Sequence, residues 1–159
     1  MDLNTTPLSQ IDREVFPLLA EGVYFVECTE AEVKPKKTGD GNNLLLVFKV
    51  LDEYVTTAKN VEQKNNGYTL RQYVSLTAKQ GSSYNPDQQL ALLADAISGF
   101  GQPGLADPDR LQLEDLKGAC LKLKVGIQQA TDKFDAQNTI KGWLPITEND
   151  NFVKPQTSN

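Results

Sequence analysis

Residues 120–127 read CLKLKVGI, a run in which apolar residues occupy every second position. Side chains alternate across a β-strand with a period of two, so Leu121, Leu123, Val125 and Ile127 share one face. Cys120, Lys122, Lys124 and Gly126 share the other. Such a strand needs a layer over its apolar face, and its second face carries lysines in a chain whose formal net charge is −5. Two questions follow: what covers the first face, and what the lysines meet.

Further strands are read in the same way. Residues 21–35, EGVYFVECTEAEVKP, open on a turn glycine and are rich in β-branched and aromatic residues. Their alternation sets Tyr24, Val26 and Cys28 against Phe25, Glu27 and Thr29. The Pro-, Gly- and Asn-rich KPKKTGDGNN of residues 34–43 predicts a turn, and the apolar run LLLVFKVLD behind it predicts a strand covered on both faces, completing a hairpin. YTLRQYVSL, residues 68–76, places Leu70, Gln72, Val74 and Leu76 opposite Thr69, Arg71, Tyr73 and Ser75. After a turn in QQATDKFDAQ, the segment NTIKGW returns with Ile140 inward and Thr139, Lys141 and Trp143 outward.

The convincing helix is NPDQQLALLADAISGF. Pro86 suits a first turn, Asp87 complements the positive end of the helix and Gly99 can terminate it. Leu90, Leu93, Ala94 and Ile97 recur at helical spacing and supply the stripe that would cover the sheet.

A chain of 159 residues suits one domain. The pattern is mainly β, about five strands with one helix between the third and fourth, and lacks the βαβ alternation of a parallel sheet. That order is the layout of a five-stranded OB-fold-like Greek-key barrel. The expected boundaries are an N-terminal arm at 1–19 with one helical turn from Ser9, an OB-fold-like domain at 20–147, and a polar, disordered C-terminal tail at 148–159. Residues 53–67 read as a polar connecting loop closed by an Asn66-Gly67 turn.

Several function classes are disfavoured. No apolar run approaches the roughly 18 residues needed to cross a bilayer, and the opening MDLNTTPLSQIDREVF lacks the basic and apolar regions of a signal peptide, so a cytoplasmic protein is expected. Cys28 and Cys120 lie in strand-like segments and read as buried free thiols. The chain has no histidine, which removes the imidazole base, Ser-His and Cys-His pairs, and histidine metal ligands together. The carboxylate pairs Glu114/Asp115 and Asp107/Asp109 sit in a Pro-rich connection, where capping explains them. TGDGNN lacks calcium-loop spacing, and no GKT or GKS follows a strand. No catalytic activity, metal or cofactor is expected.

The outward residues of the third, fourth and fifth strands are Arg71, Tyr73, Lys122, Lys124, Lys141 and Trp143. No Asp or Glu occurs in YTLRQYVSL, ACLKLKVGI or NTIKGW, so a basic patch can exist on an acidic chain. Cations neutralise phosphates and aromatic faces stack unpaired bases, which is what a single strand of nucleic acid requires. Lys34, Lys36 and Lys37 add a basic finger at the hairpin turn. The plainer account is a solvated, aggregation-protected face, with Tyr73 and Trp143 as packing residues.

The order AEGVYFVECTEAEVKPKKTGDGNNLLLVFKVLD, DQQLALLADAIS, LEDLKGACLKLKVGI and NTIKGWLP resembles a family of small phage-encoded proteins long filed as a domain of unknown function. Its members share an EG.Y strand, a K.TK.G.G..L...F.V hairpin, a central helix, an L.GK turn and a terminal N.I..Y strand. The resemblance spans residues 20–145. It departs at Ala119, where the turn would carry lysine, and at Trp143, where the aromatic is of another type. Such genes lie among phage replication and recombination genes, which implies an OB-fold binder of single-stranded DNA in the cytoplasm of an infected bacterium. A phage recombinase, helicase or polymerase is the kind of protein partner implied, and an oligomer is compatible with it. The alternative is a phage protein-interaction module that inhibits or recruits a replication or defence factor, although the acidic residues do not gather into one block.

Overall fold

The computed structural model describes residues 1, 3–5, 7, 9, 19, 21–51, 68–78, 80–133 and 135–152. The helical turn expected from Ser9, the 53–67 loop with its Asn66-Gly67 turn, and residues 153–159 lie outside the described residues.

The elements run β1 (Gly22–Pro35), β2 (Asn42–Val50), β3 (Thr69–Ser75), α1 (Pro86–Ile97), α2 (Leu113–Leu116), β4 (Cys120–Gln128), β5 (Gln137–Leu144) and a 3-10 turn, Glu148–Asp150. The strands form one five-stranded sheet in the order β3-β2-β1-β4-β5, with every neighbouring pair antiparallel. Among the described residues no ladder joins β3 to β5, so the sheet is open rather than closed into the barrel expected from the strand count.

β1 organises the sheet by serving two partners. Its first half pairs with β4 over Gly22 to Glu27, and its second half pairs with β2 from Val26 to Pro35. The register slips between Cys28 and Glu30. One extra residue there bends the strand and reverses its parity, so that Tyr24, Val26 and Cys28 face the main core and Ala31 rejoins it. The junction is held by Cys28, whose N–H donates to Ala119 O at 2.8 Å and whose carbonyl accepts from Gly118 N at 2.7 Å.

The main core lies between one face of the sheet and α1. β2 contributes Leu44, Leu46 and Phe48, β4 contributes Leu121, Leu123 and Val125, and α1 contributes Leu93, Ala96 and Ile97. The helix begins where Asn85 Oδ1 accepts the N–H groups of Asp87 at 3.0 Å and Gln88 at 3.3 Å, with Pro86 in the first turn. A second, smaller cluster forms on the opposite face from Phe25, Leu51, Cys120 and Ile146, with Phe152 packed against it. The first half of β1 and its partner β4 are therefore covered on both sides.

Cys28 belongs to the main core and Cys120 to the second cluster, and both are buried free thiols. Their side chains occupy opposite faces of the sheet. Burial pushes the Cys28 thiol up to about 11, although it donates to Glu30 O at 3.3 Å. Residues 148–152, assigned to the polar tail by their composition, carry the 3-10 turn and bring Phe152 onto Phe25 with ring centroids 5.0 Å apart and planes 7° from parallel.

Candidate nucleic-acid interface

The two outer strands meet through side chains. Trp143 Nε1 on β5 donates to Gln72 Oε1 on β3 at 2.8 Å. Gln72 shares its face with Leu70 and Val74, as the alternation of β3 predicts. Trp143 does not stand outward beside Lys141; it packs against the main core together with Ile140. The cause is a slip in the β4–β5 register, where Lys124 pairs with Gly142 but Val125 pairs with Ile140. Lys141 is left over as the bulged residue, and the extra residue brings Ile140 and Trp143, three positions apart, to the same side.

Around this bridge lies a concavity of about 320 Å³, bordered by Gln72, Tyr73, Ser75, Tyr84, Gln89 and Trp143. Tyr84 is fixed by its hydroxyl, which donates to Ser75 O at 2.6 Å. Tyr73 is 58% exposed, and Arg71 is exposed on the same strand face. Two aromatic residues of the expected site thus share a cavity with Tyr84, a third that strand patterning could not reveal because it lies in the irregular approach to α1.

The lysine hairpin stands beside the same end of β3. Leu76 N donates to Asn42 O at 2.9 Å, and Asn43 pairs with Ser75. The turn between β1 and β2 is closed by Lys36 N to Gly41 O at 2.8 Å and Gly39 N to Lys36 O at 3.0 Å. Gly39 and Gly41 have φ of 79° and 129°, which side chains rarely adopt, so glycine is required there. Lys36 and Lys37 belong to this turn, while Lys34 on β1 lies 3.9 Å from the Glu32 carboxylate with about half of its side chain exposed.

The stripe in β4 divides. Lys124 and Lys141 border a second concavity, of about 270 Å³, together with Glu21. Lys141 runs over Gly126, where any Cβ would land on its Cε atom. Lys122 has a different fate: its Nζ is 2.9 Å from Asp150 Oδ2, and its side chain is 16% exposed. Burial pushes the Asp150 carboxyl up, but the Thr147 backbone N–H at 2.8 Å and the Lys122 ammonium outweigh it, and the group sits below its usual range. Lys122 is therefore committed to its own chain. Asp150 and Phe152, which cover it and its cross-strand neighbour Phe25, are absent from the residues expected at the site. The Thr147-to-Asp150 capping spacing in TEND is the one local signal that could have marked them.

The expected residues thus form two groups. Tyr73 and Trp143 share the seam, with the hairpin lysines beside the same end of β3, and Lys124 with Lys141 lies on β4 and β5. Among the described residues no group of three or more His, Cys, Asp or Glu side chains could hold a metal ion, and no helix is long and apolar enough to cross a membrane. No family model matches the chain, and no curated protein is significantly similar to it.

Proposed function

We propose that this protein binds single-stranded DNA with low sequence specificity and without catalysis, in phage replication or recombination within the bacterial cytoplasm. The observation that carries the reading is the seam, where Tyr73 and Trp143 border one concavity at the end of β3 that also adjoins the lysine hairpin. Aromatic faces supply sequence-tolerant stacking, and nearby ammonium groups supply phosphate neutralisation. Arg71, Lys124 and Lys141 extend the basic path, with Lys34, Lys36 and Lys37 closing over the strand. The resemblance to the phage family supports the same reading.

We further propose that the open sheet is a partly open OB-type barrel. The bulged β1 shared by both halves of the sheet and the Gln72–Trp143 bridge between the outer strands support it. A recombinase, helicase or polymerase would be the protein partner. A third concavity, about 470 Å³ beside α1, favours a protein contact as well: Leu90, Leu105 and Leu111 line it together with Asp87, Asp95, Asp109 and Arg110, an apolar floor with a charged rim of both signs.

The test is a titration with oligothymidine at low salt, followed through Trp143, the only tryptophan, and repeated at higher salt. Saturable quenching that weakens with salt is expected, because stacking reports through the indole and counterion release through salt. A flat signal, together with failure of a labelled strand to bind, would reject single-strand binding and leave the protein-contact reading.

A further inference from the structure

The indole N–H of Trp143 is a donor with no acceptor capacity. Gln72 must therefore turn its oxygen toward Trp143, as the 2.8 Å bond shows, and its NH2 group is left on the other side of the amide. Among the described residues that NH2 meets no acceptor, and Gln72 borders the seam concavity. Tyr84 cannot swing away, because its hydroxyl is held by Ser75 O at 2.6 Å. Tyr73, by contrast, is 58% exposed. The cavity is thus bordered by a hydrogen-bonded indole, a hydrogen-bonded phenol, an exposed phenol and an amide whose oxygen is taken and whose NH2 remains to donate.

A volume of about 320 Å³ is at the lower end for small-molecule sites, which suits a single planar ring rather than a whole nucleotide. The phosphates that would accompany such a ring find Lys36 and Lys37 at the neighbouring turn. We infer that the β3–β5 seam is a pocket for one extruded nucleobase that presents a carbonyl oxygen to Gln72, as thymine does. This inference rests on the single-strand reading above and adds to it a discrete base subsite built from Gln72, Tyr73, Tyr84 and Trp143.

The probe is a strand of abasic deoxyribose residues carrying one central thymine, compared with the same strand wholly abasic and with labelled oligothymidine. The single thymine should tighten binding about tenfold and quench Trp143, in line with the worth of one stacked base. Tyr73→Ala, at an exposed ring that the fold does not need, should remove most of that advantage. Gln72→Glu keeps the acceptor for the indole but lacks the donor, so the ratio between thymine and abasic strands should fall by at least about threefold. The ratio cancels the general weakening caused by the added negative charge. Equal binding of both strands with unchanged Trp143 fluorescence would overturn the base pocket while leaving single-strand binding in place. Failure of all three strands to bind would remove both.

Discussion

Lys122 Nζ and Asp150 Oδ2 stand 2.9 Å apart, which makes one lysine of an apparently uniform basic stripe an internal fastener of the fold. Lys124, two positions along on the same strand, is exposed. Charge reversal at the two sites should therefore give opposite results. Lys122→Glu sets two carboxylates together where both side chains are largely buried and should cost about 1 to 3 kcal/mol of stability. Lys124→Glu should leave stability within about 0.5 kcal/mol and weaken single-strand binding, reducing the slope of log affinity against log salt by about one. Denaturant melts and a salt series check this; equal effects of the two substitutions on both readouts would contradict it.

The same pair sets a pH dependence. The folded Asp150 carboxyl lies below its ordinary value, so its contribution to stability is present above the unfolded pKa, near pH 4, and is lost as pH falls through the folded value. Asp150→Asn keeps the shape and removes the titration. The stability gap between the native protein and this variant should be constant at neutral pH and should narrow below about pH 4. Melting curves collected in parallel across that window test it, and a gap that stays unchanged to the acid end would show that the pair contributes nothing through ionisation.

Much of this arrangement was legible because strand faces are local. The alternation of residues 120–127 placed Leu121, Leu123 and Val125 in the core, and that of residues 69–75 separated Leu70 and Val74 from Arg71 and Tyr73. The misread positions depend on contacts distant in sequence. Trp143 turns inward because the β4–β5 register slips at Lys141, two residues before it, a property of two strands that neither strand encodes alone. Lys122 is occupied because the chain beyond β5 returns across Phe25, guided by Ile146 and Phe152, two apolar residues too isolated to form a period. The absence of a β3–β5 ladder among the described residues is likewise invisible to strand counting.

The two thiols should be chemically silent in the folded protein. Both are buried, and the Cys28 thiol is pushed up to about 11, so almost no thiolate exists at neutral pH. A disulfide-exchange reagent should label neither cysteine under native conditions and both after unfolding. Because the two side chains lie on opposite faces of the sheet, no disulfide between them should form in the folded state. Rapid native labelling of Cys28 would show that the β1 bulge opens far more readily than its packing implies.

Two glycines without positive φ separate packing against backbone from packing against a flexible side chain. A Cβ at Gly99 would lie 2.6 Å from both the N and the O of Ile146, and Phe100 N donates to that same carbonyl at 2.7 Å. Backbone tied in this way cannot yield cheaply, so Gly99→Ala should cost about 1 to 3 kcal/mol. It should also raise hydrogen exchange through residues 146–152, since Ile146 anchors the segment that delivers Asp150 and Phe152. At Gly126 the obstacle is the far end of Lys141, which can swing aside. Gly126→Ala should therefore change stability by less than about 1 kcal/mol and act instead by turning Lys141 away from Lys124, lowering single-strand affinity at low salt. The contrast depends only on whether the displaced atoms are backbone or side chain. A Gly126→Ala protein destabilised as much as Gly99→Ala would mean that Lys141 is held rigidly over the sheet and is not free to follow a phosphate.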